Sequence, residues 1–580
     1  MKTSLKESLN NLKNKNYPEI AEKISVNLFY PKDEKHGHFS TNLALLIAKE
    51  FKQNPKDIAK DIAKKLESKP VIKKHFKVEL INGFINFSIK DAGFIKQLVE
   101  LQKKDFQIKK LDLYKNKKYL IEFCDQNPFK SFHIGHLRTA VIGESLSRLL
   151  DFSGAKVIRA NYQGDVGLHV AKFFWGFFQI RKKQPDIEEK LKSLDEKINF
   201  MTDCYVVGAN AYKKDAKAKD KINQLNKKIY QMDREIKKDW QKKRQWSLDK
   251  FDKIYERLNT GFDRLFFESE MVKDSLKICE KAYQKGILKK DQGCLIFKGE
   301  KYGLNTRVFV NSLGIPTYEA KELALAFKEF QEFGTIDKAI HVVGNEQNNF
   351  FKITFLVEKL LDEQLFDDKQ FHLSYGMIDV KGIKMSSRLG NIITAESLID
   401  QVKKEISKII STRKEKLSPK DTETIAEKLA VGAVKYSYLK ITPQKNMLFD
   451  LKESVKMEGQ SGPYLMYSYV RAINILKKVS DQKIDRIKNL KLSEPERKLL
   501  FEINKFYDII EKVSKTYQIS DIADYSYKLA TKFSNFYDKI PVSRVEDKDL
   551  RILRIAIIIS FKEVLGKCLD LMGIETVEKM

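Results

Sequence analysis

His133-Ile134-Gly135-His136 is the stretch on which the fold turns. It follows the run Lys118 to Phe123 and precedes the apolar stretch Ala140 to Leu150. That order reads as strand, tight turn and helix. Two imidazoles and a glycine at a helix start suit a polyphosphate. The glycine lets a nucleotide lie against the backbone, and free N–H groups with the helix dipole favour negative charge. The histidines can donate to phosphate oxygens, more strongly if protonated.

Outward from this turn the pattern is strand–helix alternation. Val157 to Ala160 reads as a second strand ending in the glycine-bearing loop Gln163-Gly164-Asp165-Val166-Gly167. Further strands are expected at Cys294 to Phe297, Val308 to Val310 and Ala339 to Val343. Such alternation predicts a doubly wound parallel sheet whose ligands bind at the carboxyl ends of its strands. Between about 180 and 260 the chain is densely charged, and Ile222, Leu225, Ile229, Met232 and Ile236 recur at helical spacing. This reads as an amphipathic helix or helical hairpin inserted into the sheet domain. Residues 1–110 read as a small α+β unit with a hairpin around Asn82-Gly83. Beyond 395 the chain reads as helical.

At 580 residues three or four domains are expected. The excess of 108 basic over 79 acidic side chains, +29, points to a polyanionic partner, nucleic acid ahead of membrane. Five scattered cysteines form no CxxC pair and no zinc spacing, which fits a reducing compartment. No run of apolar residues is long enough to span a bilayer, and no signal peptide is read, so a soluble cytoplasmic protein is expected.

A second motif lies far downstream, Lys384-Met385-Ser386-Ser387-Arg388. A lysine-bearing loop with hydroxyls can close over a triphosphate and offset charge on the leaving pyrophosphate. A histidine turn followed some 250 residues later by this loop resembles the HIGH and KMSKS motifs of class I aminoacyl-tRNA synthetases. The wider context is similar to the arginyl members. The matching pieces are Ile121 to Asn127, Gln163 to Gly167, Pro316-Thr317-Tyr318, Val342-Val343-Gly344 with Gln347, Ser461 to Leu465 with Tyr467 and Arg471, the close Leu569 to Ile574, and His36 to Phe39 with Gly83 to Asn86.

The resemblance implies a multidomain α/β fold. Its parts are an α+β N-terminal tRNA-contacting domain (1–110), a Rossmann-like catalytic domain (111–395) with a helical insertion at about 180–290, a helical connecting segment (396–455) and an all-α anticodon-binding domain (456–580). It implies an ATP-dependent ligase that attaches L-arginine to tRNA(Arg) through an arginyl-adenylate, monomeric and with no membrane role. ATP is a substrate, with Mg²⁺ carried on its phosphates; no zinc and no protein-held metal are expected. His133, Gly135, His136, Lys384, Met385 and Ser386 would hold ATP. Glu122, Tyr318 and Glu322 would meet the guanidinium, with Asn127 and Gln347 at the amino-acid end or the pocket wall. A planar, permanently charged guanidinium asks for carboxylates that can accept its fork of N–H donors. Tyr464, Tyr467 and Arg471 have the chemistry for tRNA contact, and core packing explains them equally well.

Two positions depart from the family pattern. Glu322 stands where Asp is usual, and Ser387 where the second lysine of KMSKS is usual. Lys130, three residues before His133, is read as the compensating cation. Two rivals follow: another class I synthetase, and a catalytically idle paralogue that only binds tRNA. The cysteinyl enzyme selects its substrate with zinc, for which this chain has no thiol cluster.

Overall fold

The computed structural model describes residues 1–382, 393–412, 418–479, 487, 490–542 and 545–580. Lys384, Met385, Ser386 and Ser387 lie outside them. The chain divides into two compact units. One comprises 1–109, 468–508 and 526–567; the other comprises 110–467, 509–525 and 568–580.

In the first unit β1 (Phe39–Thr41), β2 (Phe76–Ile81) and β3 (Phe84–Ile89) form an antiparallel sheet in the order β1-β3-β2. Ile81 pairs with Phe84, so Asn82 and Gly83 alone make the turn, with φ of 49° and 83°. Positive φ at both positions matches the twist of the flanking strands. In the His36 to Phe39 stretch, the His38 Nδ1 accepts from Ile89 N at 2.9 Å and Phe39 is buried, so both serve this sheet. Helix Glu494–Asn504 packs on helix Asp91–Gln102, where Arg497 Nε meets Asp91 Oδ1 at 2.7 Å.

The second unit holds the parallel sheet. Its first three strands are β4 (Lys118–Phe123), β5 (Lys156–Gln163) and β6 (Arg264–Phe267). The chain then makes a separate antiparallel sheet of β7 (Lys289–Asp291), β8 (Cys294–Phe297) and β9 (Arg307–Val310) before returning through β10 (Lys338–Val342) and β11 (Gln370–His372). The five parallel strands lie in the order β11-β10-β4-β5-β6. The strand order reverses between β4 and β10, which is where ligands of such sheets bind. Leu120 and Ala339, register partners, point with Phe266 into an apolar layer under helix Tyr318–Phe333.

Two expected strands thus belong elsewhere. Cys294–Phe297 and Val308–Val310 lie outside the parallel sheet because Gln292 and Gly293, both at positive φ, make a two-residue turn between β7 and β8. Only antiparallel strands can be joined so tightly. The stripe from Ile222 to Ile236 is also divided. Helix Ala216–Tyr230 ends, and Asp233 caps a new helix, Arg234–Arg257, by accepting from Glu235 N. These two and helix Leu194–Lys214 pack with helix Leu168–Lys183 around Phe173, Phe174 and Phe177.

Helix Ile134–Phe152 crosses the sheet against β4, so closely that a side chain at Gly143 would overlap the Phe123 ring. Its Arg138 is wholly buried. The guanidinium donates to the carbonyls of Gly376 (2.6 Å), Met377 (2.9 Å), Pro443 (3.1 Å) and Lys445 (2.7 Å). It therefore ties the helix to both ends of the segment that carries β12 (Ile378–Val380) and β13 (Met447–Phe449). Among the described residues no helix is long and apolar enough to cross a membrane.

Arg138→Met leaves four interior carbonyls without their donor. The expected cost is about 3 kcal/mol or more, read as a lower unfolding midpoint in scanning calorimetry. An unchanged midpoint would show that the clamp contributes nothing.

Candidate active site

The histidine turn caps its own helix. His133 Nδ1 accepts from Gly135 N at 3.1 Å and His136 N at 3.4 Å, while His136 Nδ1 accepts from His133 N at 3.3 Å. The rings stack with centroids 3.7 Å apart. Ile134 N is bonded to Ile393 O at 3.2 Å. The first-turn N–H groups are therefore satisfied within the protein, which corrects the expectation of free backbone donors. Because both Nδ1 atoms accept, each neutral ring carries its proton on Nε2, the atom left to donate. Burial, with Lys130 nearby, lowers the His133 pKa to about 4; burial, with His133 and Lys130 nearby, holds His136 well below its usual value. The pair meets a ligand as two neutral N–H donors, not as imidazolium.

The segment after the Lys384 motif is joined to this turn. His133 and Thr394 form an antiparallel bridge, and Ala395 N donates to Phe132 O at 3.0 Å. Residues 393–395, which follow the second motif in sequence, are thus neighbours of the histidine turn.

The loop between β4 and the histidine turn is held from several sides. Cys124 and Phe129 take positive φ of 72° and 67°, which non-glycine residues adopt only when their surroundings impose it. Thr139 Oγ1 accepts from Cys124 N at 3.2 Å and itself donates to Val342 O at 2.7 Å, across β4 and β10. Phe129 N donates to Ser247 Oγ at 3.0 Å, and Ser131 and Thr202 hydroxyls lie 3.2 Å apart. Ser247 and Thr202 belong to the helical insertion, which thereby buttresses the loop carrying Asn127 and Lys130. The Lys130 ammonium lies 5.6 Å from the centre of the Tyr205 ring, also from the insertion. Burial and Lys172 lower its pKa, against the pull of Glu268. Asn127 Oδ1 accepts from Gly164 N at 3.1 Å, and a side chain at 164 would collide with it. Asp165 is a buried anchor, bonded to Arg244 at 2.8 Å and to the Ser269 hydroxyl at 2.7 Å.

At the reversal of strand order, Glu122 and His341 are register partners on β4 and β10. Glu122 is 2% exposed; its Oε1 lies 3.2 Å from His341 Nδ1 and its Oε2 has no partner. His341 Nε2 lies 2.8 Å from Gln370 Oε1. Both ring nitrogens face oxygen acceptors, so the ring carries two protons. Burial opposes that charge, but Glu122, Glu329 and Glu322 hold the His341 pKa well above the imidazole value. Glu322 joins them from helix Tyr318–Phe333, and oxygens of the two glutamates and a nitrogen of the histidine lie within 4.8 Å of one another. With both nitrogens protonated, His341 acts as a donor in this group. The unfilled Oε2 and the anionic pair suit an organic cation.

Tyr318 stands one helical turn before Glu322 on the same face, 60% exposed, with the Lys321 ammonium 4.6 Å from its ring centre. Lys321 is itself buried in an ion pair with Glu268. Gln347 ends the short helix Asn345–Gln347 after β10 and is exposed. Glu122, Asn127, Glu322, His133, His136 and Lys130 thus sit at the carboxyl ends of the central strands or on helices that begin there. Tyr464, Tyr467 and Arg471 lie on helix Gly462–Lys477, each half-buried, and Arg471 stacks 4.8 Å from the Tyr537 ring centre.

Sequence reasoning missed His341, Glu268, Lys321, Glu329 and Glu358. Glu329 and Glu358 are fully buried with neither carboxylate oxygen partnered. A signal existed: Glu322 and Glu329 are seven residues apart on one face of a helix otherwise buried through Leu323, Leu325 and Phe330.

Family models match three successive stretches of the chain. Residues 96–451 match the catalytic domain of the tRNA synthetases class I (R), residues 1–89 the arginyl tRNA synthetase N terminal domain, and residues 465–580 the DALR anticodon binding domain. The arginine–tRNA ligase of Treponema denticola is 30% identical over 584 residues, covering 97% of both chains. That of Borrelia hermsii is 30% identical over 601 residues, covering 100% of both. In fold, the chain matches the arginyl-tRNA synthetase of Thermus thermophilus with a TM-score of 0.82 at 20% identity, and that of Plasmodium falciparum with 0.78 at 22%, each over 100% of this chain. The histidine turn and the carboxylate pair at the strand-order reversal are therefore features of a chain that belongs to the arginyl family of class I aminoacyl-tRNA synthetases.

Proposed function

We propose that this chain joins L-arginine to the 3′ end of its tRNA in two steps, with ATP as the activating substrate. The observation that carries the reading is the Glu122–Glu322 pair. Two buried carboxylates, one with an unfilled oxygen, stand beside the ATP-type histidine turn at the carboxyl ends of the central strands. An amino acid with a neutral side chain would leave the unfilled Glu122 Oε2 without a donor, whereas a guanidinium brings a fork of N–H donors and a positive charge together.

In the first step an oxygen of the arginine carboxylate attacks the α-phosphorus of ATP. The bond to the bridging oxygen breaks and pyrophosphate leaves with the electron pair. In the second step a ribose hydroxyl of the tRNA attacks the carbonyl carbon and AMP departs. No side-chain nucleophile takes part; the protein positions and stabilises. Glu122, Tyr318 and Glu322 hold the guanidinium, while Asn127 and Gln347 orient the other end. The Nε2–H groups of His133 and His136 donate to phosphate oxygens over Gly135. Lys130 and Lys384, with Met385 and Ser386 in its loop, offset charge on the departing pyrophosphate. Mg²⁺ would arrive on the phosphates of ATP. Imidazole N–H groups and an ammonium are donors and do not fit a magnesium site, so no step is assigned to the ion here. The segments matching the N-terminal and anticodon-binding models serve as tRNA contacts, with Tyr464, Tyr467 and Arg471 as half-buried positions for stacking and phosphate contact.

The purified protein should show arginine-dependent ATP–pyrophosphate exchange in the presence of tRNA and should charge a cognate transcript with arginine; no charged product would overturn the reading. Lys130→Ala should lower exchange by about 10²–10³-fold, as loss of one transition-state donor does. Exchange near the wild-type rate would assign Lys130 to loop packing against Tyr205 instead.

A further inference from the structure

Behind the Glu122–Glu322 pair the interior holds more acid than it can keep ionised. Glu322 is faced by Glu122 and Asp125 from β4 and its following turn, by His341 from β10, by Glu358 from helix Asn348–Leu361, by Glu329 on its own helix and by Tyr162 from β5. One imidazolium therefore stands among four glutamates. Glu329 and Glu358 are each 0% exposed, and none of their four oxygens has a hydrogen-bond partner. If all four glutamates were ionised, a net charge of about −3 would sit in the protein interior, at a cost of several kcal/mol for each uncompensated ion. The group escapes that cost by holding protons. An arriving guanidinium cannot supply or accept one, since it stays charged at any physiological pH.

We propose that seating the guanidinium expels about one proton from the Glu322–Glu329–Glu358 group, and that His341 is the positioning residue that sets the pH at which this happens. The proposal rests on the arginine reading above. The empty pocket is near neutral; the bound pocket exchanges a proton for the substrate cation. Glu322 ends ionised and accepts guanidinium N–H donors, and the proton passes to solvent. His341 contributes a fixed positive charge 3.2 Å from Glu122, locked from its other side by Gln370 at 2.8 Å. The titration behaviour agrees. Burial, then Glu122, pushes Glu322 and Glu329 well above the carboxylate range, and burial pushes Glu358 to about 8 against the pull of His341.

Calorimetry of arginine binding to the whole chain, near neutral pH in phosphate, HEPES and Tris, reads the proton directly. The apparent enthalpy should vary with the buffer's ionisation heat, giving release of about one proton per arginine. The same enthalpy in every buffer overturns the proposal while leaving arginine binding intact. No heat of binding in any buffer overturns the arginine reading itself, and the proposal with it. Around neutral pH and up to about 8, where Glu358 begins to ionise, the arginine affinity should rise with pH, because binding releases a proton. His341→Asn should move the midpoint of that rise upward. A profile parallel to wild type, lowered equally at every pH, would make His341 merely structural. In the folded protein burial raises the Glu358 pKa to about 8, whereas in the unfolded chain the group would lose its proton near 4.5, as an ordinary glutamate does. Its contribution is present at low pH and lost as pH rises through 8. Glu358→Gln, which cannot ionise, should therefore gain stability relative to wild type across that window. A difference that is flat with pH overturns the storage of a proton at this position.

Discussion

The reciprocal cap of His133 and His136 is the constraint on which the nucleotide half of this site depends. Each ring accepts a backbone N–H of the other's segment, so neither can turn without uncapping the helix. The backbone donors of the helix start are spent on two imidazoles, so under the proposed reading a phosphate meets ring N–H groups in place of the backbone. Each Nδ1 receives backbone donors, which leaves each Nε2 to carry the ring proton. The one first-turn donor that the histidines leave, Ile134 N, goes to Ile393 and fixes the chain that follows the Lys384 motif.

The second constraint is buried charge. Arg138, on the helix that follows β4, and the Glu122–His341 pair on β4 and β10 are handled differently. Arg138 gives its two terminal nitrogens to four carbonyls at once. Glu122 keeps one oxygen unpartnered in the interior, which a protein tolerates where a ligand completes the bond. The helical insertion belongs to the same logic. It is remote in sequence from the strands, yet Ser247 and Thr202 hold the Cys124–Ser131 turn in a backbone conformation that would not persist alone.

Much of this was legible in the sequence, and the exceptions have physical causes. β4, the histidine turn and its helix announce themselves because an apolar run meets a glycine-bearing turn and then an apolar helix. The β2–β3 hairpin does so through Asn82-Gly83, where both residues accept positive φ. β6 and β11 were not legible: one is four residues flanked by charge, the other three residues on the sheet edge, and neither shows alternation. β8 and β9 read as parallel strands because periodicity reports burial, not direction; the two-residue turn at Gln292-Gly293 carried the direction. Glu122, Asn127 and Glu322 could be named because motif neighbours mark them. His341 lies beside Val342-Val343-Gly344, yet a histidine on a strand has no meaning until register sets it against Glu122. Glu329 and Glu358 were invisible for the opposite reason, since a glutamate in a helix ordinarily faces water.

The two halves of the site share one electrostatic design. On the nucleotide side burial has stripped the histidines of charge and lowered Lys130. On the amino-acid side burial has raised Glu322, Glu329 and Glu358. Burial thus works against the charged form on both sides. Under the proposed roles, a triphosphate near Lys130 would favour the ammonium form and a guanidinium near Glu322 the carboxylate. Full charge on both sides would repel like groups and cost desolvation throughout the empty state. Deferring part of it lets the site be buried deeply enough to exclude water, while the strongest attractions develop only once both substrates have arrived. Glu322 is 6% exposed, whereas Glu329 and Glu358 are 0% exposed, so of these three glutamates it is the one with access to solvent and the one through which the proposed proton would leave.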